Sequence, residues 1–394
     1  MSFQDKTLLV EGWRGVNHSY ALINQHQILA MRRLAGLKLF HHDLPFAFAH
    51  WNATRNDSGF SPDDRGVLDT LHEPEPGSDV VDGLYRICSP FRTAGNAGFS
   101  THRTTTFMIT ELGLAPDSFA PGDDRSPFFT RDENIIATST NWSRDRIIEY
   151  GFEQERVKTI PLGVDTEVFS PIWPDARARG RAALGIGEDE TLFLNIGPPL
   201  WNKGIDALLH AFAVLRMRGL KVRLMVKDQQ DVYGISLNGI IETLSAGIPS
   251  LNHDLVRSAI TTVPMNLAPQ QLATLFGLAD CYVSPYRAEG FNLPVLEAIS
   301  CGIPTIVTAG GATDDFCNDD TSLRILGRFH RKTTDAGLIG AYIEPDPDSL
   351  VDAMSSIVNG WRPDRTKFDT ARQSILQHFN WRNAAEQTAR LSLL

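Results

Sequence analysis

The chain has 394 residues, of which 42% are hydrophobic and 21% charged, with a formal net charge of −10. That length suffices for two domains of about 150 to 200 residues, each with its own core, and the negative balance excludes a general nucleic-acid binder while leaving room for a local basic face. No apolar run approaches the roughly 18 residues that cross a bilayer, and the opening MSFQDKTLLVEGW has no signal-peptide pattern, so a cytoplasmic protein without a transmembrane segment is expected. Cys88, Cys281, Cys301 and Cys317 form no C-x-x-C pair and read as core thiols of a reducing compartment.

Thr7 to Val10 predicts a short strand, followed by Gly12-Trp13-Arg14-Gly15 and a helical pattern from about His18 to Leu34. A strand, a glycine turn and a helix make a phosphate-loop-like opening, although a plain strand-to-helix turn has the same pattern. Further strands are predicted over Leu37 to Phe40, Leu84 to Ile87, Thr105 to Ile109 and Asn134 to Thr138, an order that suggests a parallel sheet. The polar, Gly/Pro-rich stretches Asn52 to Asp79 and Phe91 to Thr104 are longer than ordinary βα connections, and acceptor recognition is placed there. His18, His41, His42, His50 and His102 fall in this half without metal-ligand spacing and read as surface or core residues.

The Pro-rich Ser170 to Pro174 marks a boundary. Beyond it the α/β rhythm restarts, with strands over Thr191 to Ile196, Val222 to Val226, Ile260 to Val263 and Cys281 to Ser284, and helices over Lys203 to Met217, Ile235 to Leu244 and Pro269 to Leu278. Strands alternating with helices imply a doubly wound sheet whose ligand crevice lies beyond the strand C-termini, where Lys203, Lys227 and Glu289 fall.

In EGFNLPVLEAISCGIP, Glu289 to Pro304, Pro294 suits a first helical turn, Gly302 a stop, and Thr305 to Thr308 a buried strand. The helix start near Leu293 offers unpaired amides and a partial positive charge to phosphate. A carboxylate beside a phosphate does not bind it, so Glu289 and Glu297 fit hydroxyl groups of the same ligand. The plain alternative is that Glu297 complements the macrodipole, worth about 0.3 to 1 kcal/mol, and that Glu289 is a solvated loop residue.

This stretch resembles the E-x7-E segment of retaining glycosyltransferases with the GT-B fold, family 4 (group 1) in particular, with Glu289, Gly290, Phe291, Leu293, Pro294, Glu297, Ala298, Cys301, Gly302 and Pro304 in place. Gly197 to Gly204, GPPLWNKG, resembles the second donor motif of that family. Lys203 matches, but Pro198 stands where an Arg is usual. Gly310-Gly311 with Asp315 resembles a supporting Gly-Gly-x-x-Glu.

The resemblance implies an α/β GT-B architecture: residues 1–170 an acceptor-binding Rossmann-like domain, 171–370 a donor-binding one, and 371–394 a helix crossing back to the first. It implies transfer of a hexosyl-type group from a nucleotide diphosphate sugar to a carbohydrate, lipid-linked or other hydroxyl acceptor, with retention, no bound metal and no cofactor besides the sugar nucleotide. Glu289 and Lys203 would serve catalysis, Glu289 on the donor sugar and Glu297 on the ribose. Backbone amides from Gly290 through Phe291, Asn292 and Leu293 to Val295 would hold sugar and diphosphate, with Asn292 departing from the usual Gly. Gly15 would touch donor phosphate, and Arg14 and Glu111 the acceptor, Thr110-Glu111 standing where relatives carry a His. Arg287, Lys227 or Arg14 would supply the cation absent at Pro198, Arg287 being favoured because it lies two residues from Glu289. Peripheral contact with the inner face of a membrane stays open, as do a GT-B sugar-nucleotide epimerase and a non-catalytic sugar-nucleotide-binding protein.

Overall fold

A computed structural model describes residues 3–47, 51, 59–77, 79–93, 99, 101, 103–123, 134–333 and 339–394. His50, His102 and much of the two long polar stretches lie outside the described residues. The chain divides into two compact units: one comprises Met1–Gly163, Lys332–Gly340 and Phe379–Leu394, the other Val164–Arg331 and Ala341–His378.

The first unit holds a parallel sheet of β1 (Lys6–Gly12), β2 (Leu37–Asp43), β3 (Gly83–Ile87), β4 (Arg103–Phe107), β5 (Asn134–Thr138) and β6 (Val157–Thr159), in the order β2-β1-β3-β4-β5-β6. Apolar Leu9, Phe40 and Leu84 meet across the register of β1 with its neighbours and are buried, as a parallel sheet requires. β4 begins and ends two residues earlier than the sequence suggested, its Thr104, Thr105 and Thr106 being buried within the sheet. The first helix is Ser19–Met31, and its N-cap is the His18 side chain, which accepts from the Tyr20 amide.

The final helix, Trp381–Leu393, packs on the Ser19–Met31 helix and on β3. His26 and Trp381 stack with ring centroids 4.6 Å apart. Gly83 permits this approach, since a Cβ there would lie 2.1 Å from the Ser392 carbonyl oxygen.

Strand order reverses about β1, so the crevice of this sheet lies at the C-terminal ends of β1 and β3. Register sets Glu11 opposite Arg86 there. Arg86 Nε donates to Glu11 Oε2 at 2.7 Å, Nη2 lies 2.6 Å from the same oxygen, and both side chains are nearly fully buried. Arg86 Nη1 also donates to the Arg92 carbonyl, so this pair pins the loop leaving β3.

The second unit repeats the plan with β7 (Thr191–Ile196), β8 (Val222–Lys227), β9 (Ile260–Thr262), β10 (Cys281–Ser284), β11 (Thr305–Thr308) and β12 (Ser322–Ile325), parallel and ordered β12-β11-β10-β7-β8-β9. Helices Ile205–Met217 and Pro347–Val358 pack together on one face, where Leu208, Phe212, Leu350 and Met354 join Phe193, Val283 and Ile306 in the core. Here the order reverses between β7 and β10. β13 (Gly327–Thr333) and β14 (Ile339–Pro345), which the sequence pattern did not suggest, form a separate two-stranded sheet. All four cysteines are buried free thiols, and among the described residues no helix is long and apolar enough to cross a membrane.

Removing Glu11 strands a buried guanidinium. Glu11→Ala is therefore expected to cost about 3 to 5 kcal/mol of stability, read from the shift in urea midpoint.

Candidate functional site

The loops leaving β7 and β10 run side by side at the reversal of the second sheet. After Ile196 the chain turns through Gly197 to Leu200 and makes one 3-10 turn over Trp201–Lys203. It then enters the Ile205–Met217 helix through Gly204 at φ 71°. A Cβ on Gly204 would sit 1.9 Å from the Pro285 carbonyl oxygen, so only glycine lets the two loops touch. The Asn202 carbonyl accepts the Arg287 amide at 2.8 Å and the Ala288 amide at 3.2 Å. This pairing brings Lys203 Nζ to Glu289 Oε2 at 2.8 Å, with the two side chains 22% and 10% exposed, too sheltered for an ordinary surface ion pair.

Three residues on, Asn292 adopts φ 74°, ψ 63° and caps the Leu293–Ser300 helix. Glycine is the easy occupant of that conformation and asparagine the next. Asn292 Nδ2 donates to Ser284 Oγ at 2.9 Å, which ties the cap to the end of β10. The residue that departs from the family pattern therefore keeps its backbone geometry. Val295, whose amide was expected to face a ligand, donates it to the Asn292 carbonyl at 3.0 Å, closing the first turn internally.

The carboxylate of Glu297, one turn in, has no hydrogen-bond or ion-pair partner among the described residues. Its side chain keeps some solvent contact, yet burial pushes its carboxyl up to about 8. The Tyr282 hydroxyl donates to the Ile196 carbonyl at 3.2 Å and feels Glu289, Glu297 and Lys203 together; burial foremost, and then the two acids, raise it. Lys203 and Glu289 thus meet at one sheet edge, and Glu297 acts on the same Tyr282 hydroxyl as they do.

The sequence matches the family model for group 1 glycosyl transferases over residues 176–373, half of the chain. The chain belongs to the group 1 glycosyl transferases. It is 28% identical over 255 residues, 64% of this chain and 52% of the other, to the MMP alpha-(1->4)-mannosyltransferase of Mycolicibacterium hassiacum. It is 31% identical over 284 residues, 66% of this chain and 62% of the other, to the D-inositol 3-phosphate glycosyltransferase of Nocardiopsis dassonvillei. The chain therefore spans less than two thirds of the length of either relative. Among solved structures, a glycosyltransferase from Rickettsia africae matches at TM-score 0.68 and 12% identity, over 98% of both chains. Anabaena HepE in complex with UDP-glucose matches at TM-score 0.63 and 14% identity, again over 98% of both. The fold is GT-B.

Arg287 is not the missing phosphate cation of this group 1 glycosyl transferase. Its Nε donates to Glu344 Oε2 at 2.7 Å, and its Nη1 to the Trp201 carbonyl and to Asp206 Oδ1 at 2.8 and 2.7 Å. Nη2 donates to Asp206 Oδ2 and Glu344 Oε1 at 2.8 and 2.6 Å. A guanidinium has five N–H donors, and all are spent. Burial alone would lower the pKa of this group, but the two carboxylates outweigh burial and raise it. Arg287 is a clamp joining the Lys203 loop, the helix after it and β14. Its position beside Glu289 is legible in the sequence, whereas its pairing with Asp206 and Glu344 is not.

The other two candidate cations are also engaged. Lys227 is buried and its Nζ donates to the Asp228 carbonyl at 2.9 Å. Arg14, in the first unit, forks onto the Asp43 carboxylate and donates to the Leu68 carbonyl. The Gly15 amide, expected on a phosphate, donates to Gln25 Oε1 at 3.1 Å. The glycine turn of the first unit is thus closed on the helix that follows it through Gln25. The Glu111 carbonyl accepts from Trp142 Nε1 at 2.7 Å, which fixes its backbone beyond β4. Behind the second site, Gly310 donates its amide to Asp314 rather than to Asp315, at 2.9 Å.

Arg287→Ala is expected to lower stability by about 2 to 3 kcal/mol without weakening nucleoside diphosphate binding more than nucleoside binding, as unfolding curves and calorimetry would show. Glu297 carries a pH dependence of its own. Between the ordinary carboxyl value of 4.5 and about 8 the unfolded chain has lost this proton and the folded chain keeps it, so stability falls as pH rises through that window. Glu297→Gln removes the slope. Its melting temperature relative to the parent is expected to climb from pH 5 to pH 8 and level off above.

Proposed function

We propose that this group 1 glycosyl transferase is a family 4 type, metal-independent enzyme that moves a glycosyl group from a nucleoside diphosphate sugar to an acceptor hydroxyl with retention at the anomeric carbon. The observation that carries the reading is the Lys203–Glu289 contact beside a helix start, at the strand reversal of the second sheet. There an anion meets a lysine and backbone amides, while hydroxyl groups on the same ligand meet carboxylates. The UDP-glucose in HepE and the transferase names of the relatives support a nucleotide-sugar donor.

In the reaction, the bond from the anomeric carbon to the β-phosphate oxygen breaks and its electron pair leaves with the diphosphate. Lys203 turns from Glu289 to that growing charge, with the amides of Gly290 to Leu293 as fixed donors, in the manner of an oxyanion hole. Glu289, released from the lysine, accepts hydrogen bonds from sugar hydroxyls, and Glu297 from the ribose. The acceptor oxygen bonds to the anomeric carbon on the face the diphosphate leaves, and its proton passes to the departing phosphate. No protein nucleophile is needed, which agrees with Glu289 being occupied by a lysine rather than poised for attack.

Lys203→Ala is expected to weaken nucleoside diphosphate binding about tenfold to a hundredfold and nucleoside binding little; equal losses would remove the phosphate contact. Glu289→Ala is expected to stop transfer while leaving the fold intact. Proton NMR of the product decides the stereochemistry, and an inverted anomeric centre would refute retention.

A further inference from the structure

The β13–β14 pair carries a face that the donor site does not use. Between Gly327 and Thr333 there is no carboxylate, and every residue but His330 is exposed. Side chains alternate along a strand, so Arg328, His330 and Lys332 share one face of β13, while Phe329 and Arg331 take the other. His330 stacks on Tyr342 of β14 with centroids 4.9 Å apart and rings 11° from parallel. Tyr342 in turn meets Trp201 edge-on at 5.0 Å. The Arg287 guanidinium lies over the Trp201 ring at 4.9 Å, yet Trp201 remains 45% exposed, two residues before Lys203. The rings therefore run as a fixed row from an outer strand to the donor loop. Arg328 and Lys332 flank the row, and the side chain of neither has a hydrogen-bond or ion-pair partner among the described residues.

Each part of this arrangement has a plain explanation singly. Charges on an edge strand deter edge-to-edge pairing, and one exposed tryptophan is ordinary. Deterrence does not require a row of rings in mutual contact, nor does it require the row to end beside Lys203. The clamp described above also gains a purpose, because Arg287 spends its whole donor set in a geometry that fixes the plane of Trp201.

We propose that this face is the subsite for an acidic glycan acceptor: a pyranose ring lies on the open side of Trp201, and carboxylates or phosphates along the glycan pair with Arg328 and Lys332. A flat indole held at one angle suits the apolar face of a sugar ring, and exposed cations with no ion pair among the described residues suit an anion. A lipid surface fits less well, since exposed Phe329 lies on the opposite face from the ring row. A nucleic acid fits less well in a chain of net charge −10. The name acceptor rests on the transferase reading, but the binding surface does not.

The test is calorimetric binding of a galacturonate hexasaccharide, a heparin-derived hexasaccharide and neutral maltohexaose, with phosphatidylglycerol vesicles as a fourth probe. At least one acidic hexasaccharide is expected to bind, and maltohexaose about tenfold or more weakly. Trp201→Ala and the double variant Arg328→Ser/Lys332→Ser are each expected to weaken the acidic ligand about tenfold or more. Trp201→Phe, which keeps a ring, should recover most of the loss, and the opposite-face changes Phe329→Ser and Arg331→Ser should leave binding unchanged. Equal binding of acidic and neutral probes, equal loss from the opposite face, binding to vesicles alone, or binding of neither acidic probe would each overturn the proposal. Nucleoside diphosphate binding is expected to stay intact in the Arg328→Ser/Lys332→Ser, Phe329→Ser and Arg331→Ser variants. Its absence in the parent protein would strike the transferase reading instead and leave the glycan surface to stand on its own result.

Discussion

The Asn202 carbonyl, accepting the amides of Arg287 and Ala288, is the contact on which the site depends. It lays the loop leaving β7 along the loop leaving β10, and everything chemical follows from that adjacency. Lys203 reaches Glu289 because the loops touch, and the loops touch because Gly204 has no side chain to hold them apart. The cost is a residue in the left-handed region at Gly204 and another at Asn292. Both are met by residue types that tolerate the conformation.

Much of the architecture was legible in the sequence because parallel strands buried on both faces read as short apolar runs. Thr191 to Ile196, Cys281 to Ser284 and Thr305 to Thr308 stand where those runs put them. Lys203 and Glu289 could be paired from GPPLWNKG and E-x7-E, since both motifs sit at strand ends that a doubly wound sheet brings to one edge. The role of Arg287 could not be read this way. Whether an arginine beside a glutamate faces a ligand or two other acids depends on Asp206 and Glu344, which lie far from each other along the chain and carry no local signal. The β13–β14 pair was missed for a related reason: seven residues of GRFHRKT, nearly all exposed, lack the alternation of apolar and polar positions that marks a half-buried strand.

The same limit explains the first unit. Gly12 to Gly15 has the composition of an anion-binding turn, but a glycine amide binds a ligand only if nothing nearer claims it, and Gln25, ten residues on, does. Composition shows which groups can bind and leaves open which are already satisfied. In both units the decisive facts were hydrogen bonds made by long side chains reaching across elements.

The packing of the last helix on the first sheet has a consequence for how the molecule is made. Gly83 of β3 lies against Ser392, and Arg103 of β4 donates to the Leu391 carbonyl at 3.4 Å, a separation of 288 residues along the chain. The amino-terminal sheet therefore leaves the ribosome without one of its covering helices, and its apolar surface waits until the entire intervening unit has been translated. Contacts that span so much chain slow folding and lengthen the exposure of unfinished surface. The second unit, drawn from Val164–Arg331 and Ala341–His378, is translated before Phe379–Leu394 and can reach its native packing first.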